Sequence, residues 1–271
     1  PFNLTWPSSS YPIYFSLPLT IFSPINFKKR KTKMSPSFCS GRCSVALFLL
    51  ISAVPISYLI SLELAVPSTH VFSYHSSGYF RECAKWDDVG RRFLVSFMDG
   101  GGIGEIVIKD SDDDVLEEVT LVKDVDLAGN ASLGISIDRV RNRLLVAVSD
   151  LLGNRYSALA AYDLSTWRRL FLAELSCHGD VSVIDVSGGT LRFGDGLELL
   201  SPTKIVVAGS PSSKLVESLD GWKTASVTGW FSSGMVHRLA SSATVKEGRV
   251  YLNHIVGFGS KKKHMLVEAV F

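Results

Sequence analysis

The chain has 271 residues, 46% of them hydrophobic, with 28 basic and 26 acidic side chains. That length allows one or two domains. A net charge of +2 gives no global field, so nucleic acid is excluded as a partner on charge grounds. The four cysteines include no C-x-x-C pair, which removes the common zinc and redox motifs.

Residues 1–27 carry no charge, and Pro1, Pro7, Pro12, Pro18 and Pro24 recur through them. Each proline removes a backbone donor and clashes with the preceding turn, so no long helix is expected there. A basic cluster follows at Lys28, Lys29, Arg30, Lys31 and Lys33, and the first methionine is Met34. The expectation is a disordered extension over 1–43. Residues 1–33 read as translated sequence upstream of the native start, with a transit peptide as the alternative.

Ser44 to Leu62 contains no charged residue. A helix of that length spans a hydrocarbon core of about 30 Å. Pro55 at its middle is tolerable in a membrane helix. Basic residues precede the segment and Glu63 follows it, so the N-terminus is expected in the cytosol and the rest of the chain in the lumen or exterior. The segment 44–66 is therefore read as a signal anchor, with a cleaved signal peptide as the alternative. Membrane contact is expected through residues 44–62. The chain is placed in the secretory or endomembrane pathway, or outside the cell. In the exported part, Cys83 and Cys177 are read as separate buried thiols, with a disulfide as the alternative. Asn130-Ala131-Ser132 is a glycosylation sequon.

Residues 68–271 read as all-β. Four segments repeat one local pattern of polar corner, short apolar run, turn and alternating β-formers: Glu82 to Ser96, Gly134 to Val148, Asp195 to Gly209 and Ser242 to His254. The matched positions Asp87, Asp138, Leu199 and Lys246 recur at about 50 residues, a spacing that falls in the range of β-propeller blades. The interval from Asp138 to Leu199 is the longest, and Cys177 to Thr190 within it does not complete a blade. The expectation is an incomplete propeller of about four blades, preceded by one hydrophobic helix. Two motifs are set aside. The stretch Met98 to Ile106 is glycine-rich but leads into a strand, whereas a dinucleotide loop leads into a helix. The acidic run Asp110 to Asp114 lacks the glycine and glutamate of a calcium loop and reads as a solvated hairpin tip.

Taken together, Glu82 to Ser96, Gly134 to Val148 and the run Ser157 to Leu175 (SALAAYDLSTWRRLFLAEL) resemble the exported, anchor-bearing branch of the senescence marker protein, gluconolactonase and luciferin-regenerating enzyme superfamily. That superfamily is often labelled calcium-dependent phosphotriesterase. The resemblance covers residues 70–271. It implies a six-bladed propeller with one divalent cation, usually Ca2+, on the axis. It also implies hydrolysis of small-molecule lactones or of phosphotriester-like esters. The implied ligands are a glutamate from the first blade, asparagines from middle blades and an aspartate from a later blade that also handles the proton. Glu82 lies in the matching Glu-x-x-x-Trp corner with Trp86, and Asp195 in the matching Asp-Gly-hydrophobic corner with Gly196 and Leu197. Glu82 and Asp195 are thus the implied metal ligands, and Asp195 the implied catalytic residue. The asparagine corner should fall between Leu175 and Gly194, where no asparagine occurs. A middle blade therefore reads as deleted, and the alternative function is a non-catalytic lumenal interaction propeller or the product of a truncated gene. His237 and His254 are further candidate bases, each more simply read as a packed core histidine.

Overall fold

A computed structural model of the chain describes residues 41–65, 67–108, 115–151, 155–175 and 183–271. Residues 1–40 of the expected disordered extension, the acidic run 110–114 and Cys177 lie outside the described residues; the last three residues of that extension, 41–43, instead begin a helix. The helix α1 covers Gly41–Leu64, with Pro55 inside it. Its stretch Ser44–Leu64 is long and apolar enough to cross a membrane, and none of its most apolar window is buried in the protein.

Seventeen strands follow among the described residues. β1 is Val71–His75. β2 (Arg81–Asp87), β3 (Arg92–Phe97), β4 (Ile103–Val107) and β5 (Leu116–Val122) form an antiparallel meander. β6 (Ala131–Asp138), β7 (Arg143–Ser149), β8 (Ser157–Asp163) and β9 (Arg169–Glu174) form a second. β10 (Asp185–Ser187) runs parallel to the outer edge of a third, made of β11 (Gly194–Ser201), β12 (Lys204–Gly209), β13 (Ser213–Glu217) and β14 (Thr224–Phe231). The last comprises β15 (Ala240–Lys246), β16 (Arg249–His254) and β17 (Lys263–Ala269). These are four blades, and the fold is an all-β propeller.

The fourth blade takes its outer strand from the other end of the sheet-forming chain. β1 pairs antiparallel with β17 from Val71–Val267 to His75–Lys263, and it also touches β5 of blade 1 in parallel. The early strand thus ties blade 4 to blade 1. Sequence periodicity does not reveal this tie, because both partners are ordinary β-formers and their pairing is set by tertiary contact.

The 50-residue repeat has a local cause. The positions Asp87, Asp138 and Lys246 are the last residues of the inner strands β2, β6 and β15, and Leu199 lies near the end of β11. Asp87 accepts from Arg92 Nε at 3.0 Å and Asp138 from Arg143 Nε at 2.9 Å, so the same aspartate–arginine staple closes the first hairpin of blades 1 and 2. Arg91 and Asn142 hold the matching left-handed turn position at φ 48° and 49°.

Among the described residues, hydrophobic cores join three pairs of neighbouring blades. Blades 1 and 2 enclose Leu94, Ile103, Leu144 and Val146. Blades 4 and 1 enclose Tyr74, Phe93, Val95 and Leu266. Blades 3 and 4 enclose Val206, Ala208, Val250 and Leu252. Burying each such side chain contributes about 1.5–3 kcal/mol. Among the described residues no comparable core joins blades 2 and 3. The inner strands β6 and β11 instead face each other across an open cleft, where Leu197 is 57% exposed and Leu199 62%. The seam falls in the long interval of the repeat, between the end of β9 and the start of β11.

Candidate functional site

Every inner strand breaks its register just after it begins. The irregularity falls between Arg81 and Ala84, Ser132 and Ile135, Gly194 and Leu197, and Ala240 and Ser242. A bulge adds a residue to one strand and re-aims its side chains. Glu82, Leu133, Asp195 and Ser241 therefore occupy equivalent places on the four blades, at the same rim of the wheel. Two of the four are acids, and they are the two that the sequence singled out.

β15 lies between their strands and fixes their separation. Ser241 Oγ donates to Glu82 O at 2.5 Å, and Ala84 N donates to Ser242 Oγ at 3.0 Å. On the other side, Gly196 packs so closely that a Cβ there would lie 2.5 Å from Ser241 O and 2.9 Å from Ser242 Cα. Only glycine permits that approach, which explains the glycine after Asp195.

The Glu82 side chain is largely withdrawn from water, and its buried Oε2 has no hydrogen-bond partner among the described residues. Burial pushes its carboxyl up to about 7; the charge of Asp195 adds to this and Lys85 opposes it. Asp195 is the more exposed acid, and partial desolvation raises it as well. A carboxylate that is half-enclosed and unpaired favours its neutral form, or else a cation beside it.

Two residues that sequence reasoning missed complete the site. Asn253, in the second strand of blade 4, donates from Nδ2 to Arg81 O at 2.6 Å and Glu82 O at 3.1 Å, leaving its buried Oδ1 without a partner. It sits beyond the inner strand, so no corner motif marks it. Lys85 reaches from β2 to Ala243 O at 2.8 Å and Leu197 O at 3.1 Å, and pairs with Glu198. It ties blades 1, 3 and 4 together near the axis. Its only trace in the sequence is its place in the Glu82–Trp86 corner.

Glu82, Lys85, Ser136 and Ser242 line a cavity of about 260 Å³ whose wall also carries the apolar Ile135, Leu145, Leu159 and Leu197. The last three face the open seam. The cavity adjoins the larger cleft of about 590 Å³ between β6 and β11, where Lys85, Ile135, Ser136 and Leu197 are common to both. Among the described residues no three His, Cys, Asp or Glu side chains converge as a metal-binding group.

Among the described residues, neither histidine candidate is hydrogen-bonded to Glu82 or Asp195. His237 pairs with Glu63 and stands edge-on to Phe258. His254 is buried in β16 with Nε2 3.1 Å from Ser233 Oγ, and burial pushes its imidazole down to about 4. Cys83 is a buried free thiol, held up at about 11 chiefly by desolvation. In the sequon, the Ser132 hydroxyl is buried and accepts from Gly102 N at 2.9 Å.

No protein-family profile matches the chain, and no curated protein does. Solved structures with similarity include the allergen Mala s 1 of Malassezia sympodialis, at 16% identity over 69% of this chain and 54% of that one, with a TM-score of 0.28. The chain thus spans about half the length of that allergen. Glutaminyl cyclase of Myxococcus xanthus is similar at 12% identity over 73% of this chain and 93% of that one, with a TM-score of 0.39. BamB of Moraxella catarrhalis is similar at 12% identity over 75% and 61%, with a TM-score of 0.25. Similarity this distant carries no functional conclusion. The fold class rests on the blade topology described above.

Proposed function

We propose that the acids on the inner bulges bind a divalent cation, and that the protein hydrolyses a small lactone or phosphotriester-like ester, as the resemblance to the gluconolactonase-like superfamily implies. The observation that carries this reading is the pairing of Glu82 and Asp195 on equivalent bulges, with Glu82 Oε2 and Asn253 Oδ1 buried and unpartnered. Oxygen donors of this kind suit a hard cation such as Ca2+. Protein donors this few leave most of the six to eight positions to water and backbone carbonyls, so binding is expected in the range of about 10⁻⁴–10⁻³ M.

When bound, the cation supplies Lewis-acid polarisation of the carbonyl or phosphoryl oxygen. The chain's own residues do the rest. Glu82, the more buried acid, holds negative charge at the inner end of the cavity. Asp195, more exposed and with a raised carboxyl, takes a proton from water as the water oxygen bonds to the acyl carbon or phosphorus. The ester C–O or P–O bond breaks, and the same proton passes to the departing oxygen. The helix α1 serves as a signal anchor, with the propeller on the exported side.

The test is turnover of an aryl ester and a γ-lactone by the full chain in detergent, with millimolar calcium or with chelator. Chelation, Glu82→Gln and Asp195→Asn should each lower kcat by at least about 10²-fold, the scale of general acid–base and electrostatic contributions. Absence of turnover in calcium, or turnover in both variants equal to that of the unsubstituted chain, rejects the reading. Lys85 favours a second one. Its ammonium lies within electrostatic reach of Glu82 and already bridges three blades, so it can act as a built-in cation in a non-catalytic interaction propeller. In that case Lys85→Met would destabilise the protein and calcium would not.

A further inference from the structure

The last turn of α1 is joined to the propeller by charge. Glu63 accepts from Arg238 Nε at 2.7 Å and from its Nη2 at 2.5 Å, and it also pairs with His237. The Arg238 side chain is fully buried, donates from Nη1 to Lys263 O at 2.8 Å and Val256 O at 3.0 Å, and lies over the Phe258 ring. Glu63 is its only acidic partner among the described residues. A buried guanidinium stripped of its carboxylate is strongly unfavourable. The end of the apolar span is thus built into the rim from which the inner strands start.

Arg238 closes a 3-10 turn at Val236–Arg238. Val236 and Leu239, on either side of the clamp, form one wall of a cavity of about 500 Å³ that is also lined by Phe193, Asp195, Ser210 and Pro211. The apolar side chains of this wall face solvent: Phe193 is 68% exposed, Leu239 50% and Val236 41%. Phe193 and Leu239 are both held at positive φ, 62° and 54°. A bulky side chain in the left-handed region is costly, and such strain gathers at ligand clamps. The cavity therefore has an apolar mouth beside the point where the helix leaves the bilayer, and one carboxylate at its inner edge.

We infer that this cavity takes the hydrocarbon chain of a membrane-resident ester, entering from the bilayer beside α1, with the polar end of the ester directed to Asp195. The inference rests on the proposed hydrolase role for Asp195 and on α1 as an anchor, and it narrows the substrate class to lipophilic esters. Aqueous esters would enter without the cavity; an acyl chain gains about 0.8 kcal/mol per CH₂ that it buries.

The test uses the full chain in phosphatidylcholine vesicles doped with an aryl ester of a long-chain fatty acid that carries a diazirine at its chain end. After illumination, labelled peptides are mapped by mass spectrometry. Label should concentrate on Phe193 and on 236–239, above the Val140 turn, which is 93% exposed and lies at the opposite rim. Leu239→Glu should cut that label by about tenfold, equivalent to roughly 1.4 kcal/mol. Val236→Glu serves as the independent variant should Leu239→Glu fail to fold. Label confined to α1, label spread evenly over both rims, or label unchanged in the folded variants overturns the inference. The hydrolase reading is separated by turnover of a short, water-soluble aryl ester. Turnover without cavity labelling rejects this inference and leaves the hydrolase standing, whereas labelling without any turnover supports the cavity assignment and rejects the hydrolase.

Discussion

The flank joining blades 4 and 1 and the flank between blades 2 and 3 are built from the same strand pattern, yet only the first is closed. At the closed flank a strand from elsewhere in the chain, β1, completes blade 4 and meets blade 1. Arg81, only 1% exposed, is enclosed there by Glu118 and by Asp99 at 2.5 Å, and lies over Phe97 at 3.9 Å. At the open flank Leu197 and Leu199 project from β11 into a cleft. Blade-forming sequence is therefore not enough to close a wheel; the flank must also have a partner surface to bury.

This contrast can be broken experimentally, beginning with its strongest element. Arg81→Ala leaves Glu118 buried without its cation and should cost about 3–5 kcal/mol in chemical denaturation. A loss near zero would mean that the closed flank does not carry the fold. Leu266→Ala, in the core between blades 4 and 1, should cost about 3 kcal/mol through lost burial and a residual cavity.

The same contrast divides the pH response. His264, stacked on Tyr74 at the closed flank, is pushed down to about 4, chiefly by burial. A depressed imidazole contributes stability that is complete above its unfolded value and is lost as pH falls from about 6.5 towards 4. Glu82 is pushed up to about 7, so its burial is tolerated below its unfolded value near 4.5 and penalised as pH rises through 7. The two windows overlap from about 4.5 to 6.5, where the opposing effects offset, so stability in chelator should be nearly flat there and fall below it through the histidine and above it through Glu82. Glu82→Gln should abolish the alkaline fall and expose the acid loss from about 6.5 downward. A variant that retains the alkaline loss would show that another group causes it. The smallest effect is expected at the seam, where Leu199→Ala should change stability by less than about 0.5 kcal/mol. A larger loss would mean that the seam is covered.

Much of this arrangement was legible from local chemistry. The repeated corner-and-turn pattern at Asp87 and Asp138, with its alternating β-formers, marked the blades because the contacts behind it, the aspartate–arginine staples, act within one hairpin. The long interval before Leu199 marked the position of the seam, and the Asp195-Gly196 corner carries a glycine because β15 passes against it. What escaped is non-local. Nothing near Val71–His75 indicates pairing with residues almost 200 positions later. Asn253 reaches Glu82 from a second strand, where an asparagine looks like any polar residue. Arg238 and Glu63 lie far apart in sequence, and each alone reads as a surface charge. His237 and His254, more simply read as packed histidines than as bases, have partners the sequence does not show, Glu63 for one and Ser233 for the other.

The most direct test of the hub assignment is a calorimetric titration of the full chain with calcium at pH 8, repeated on Glu82→Gln and Asp195→Asn. One site per chain, with Kd in the range of about 10⁻⁴–10⁻³ M and lost in both variants, is the predicted result. No saturable heat, or binding that both variants retain, would contradict a cation held between Glu82 and Asp195.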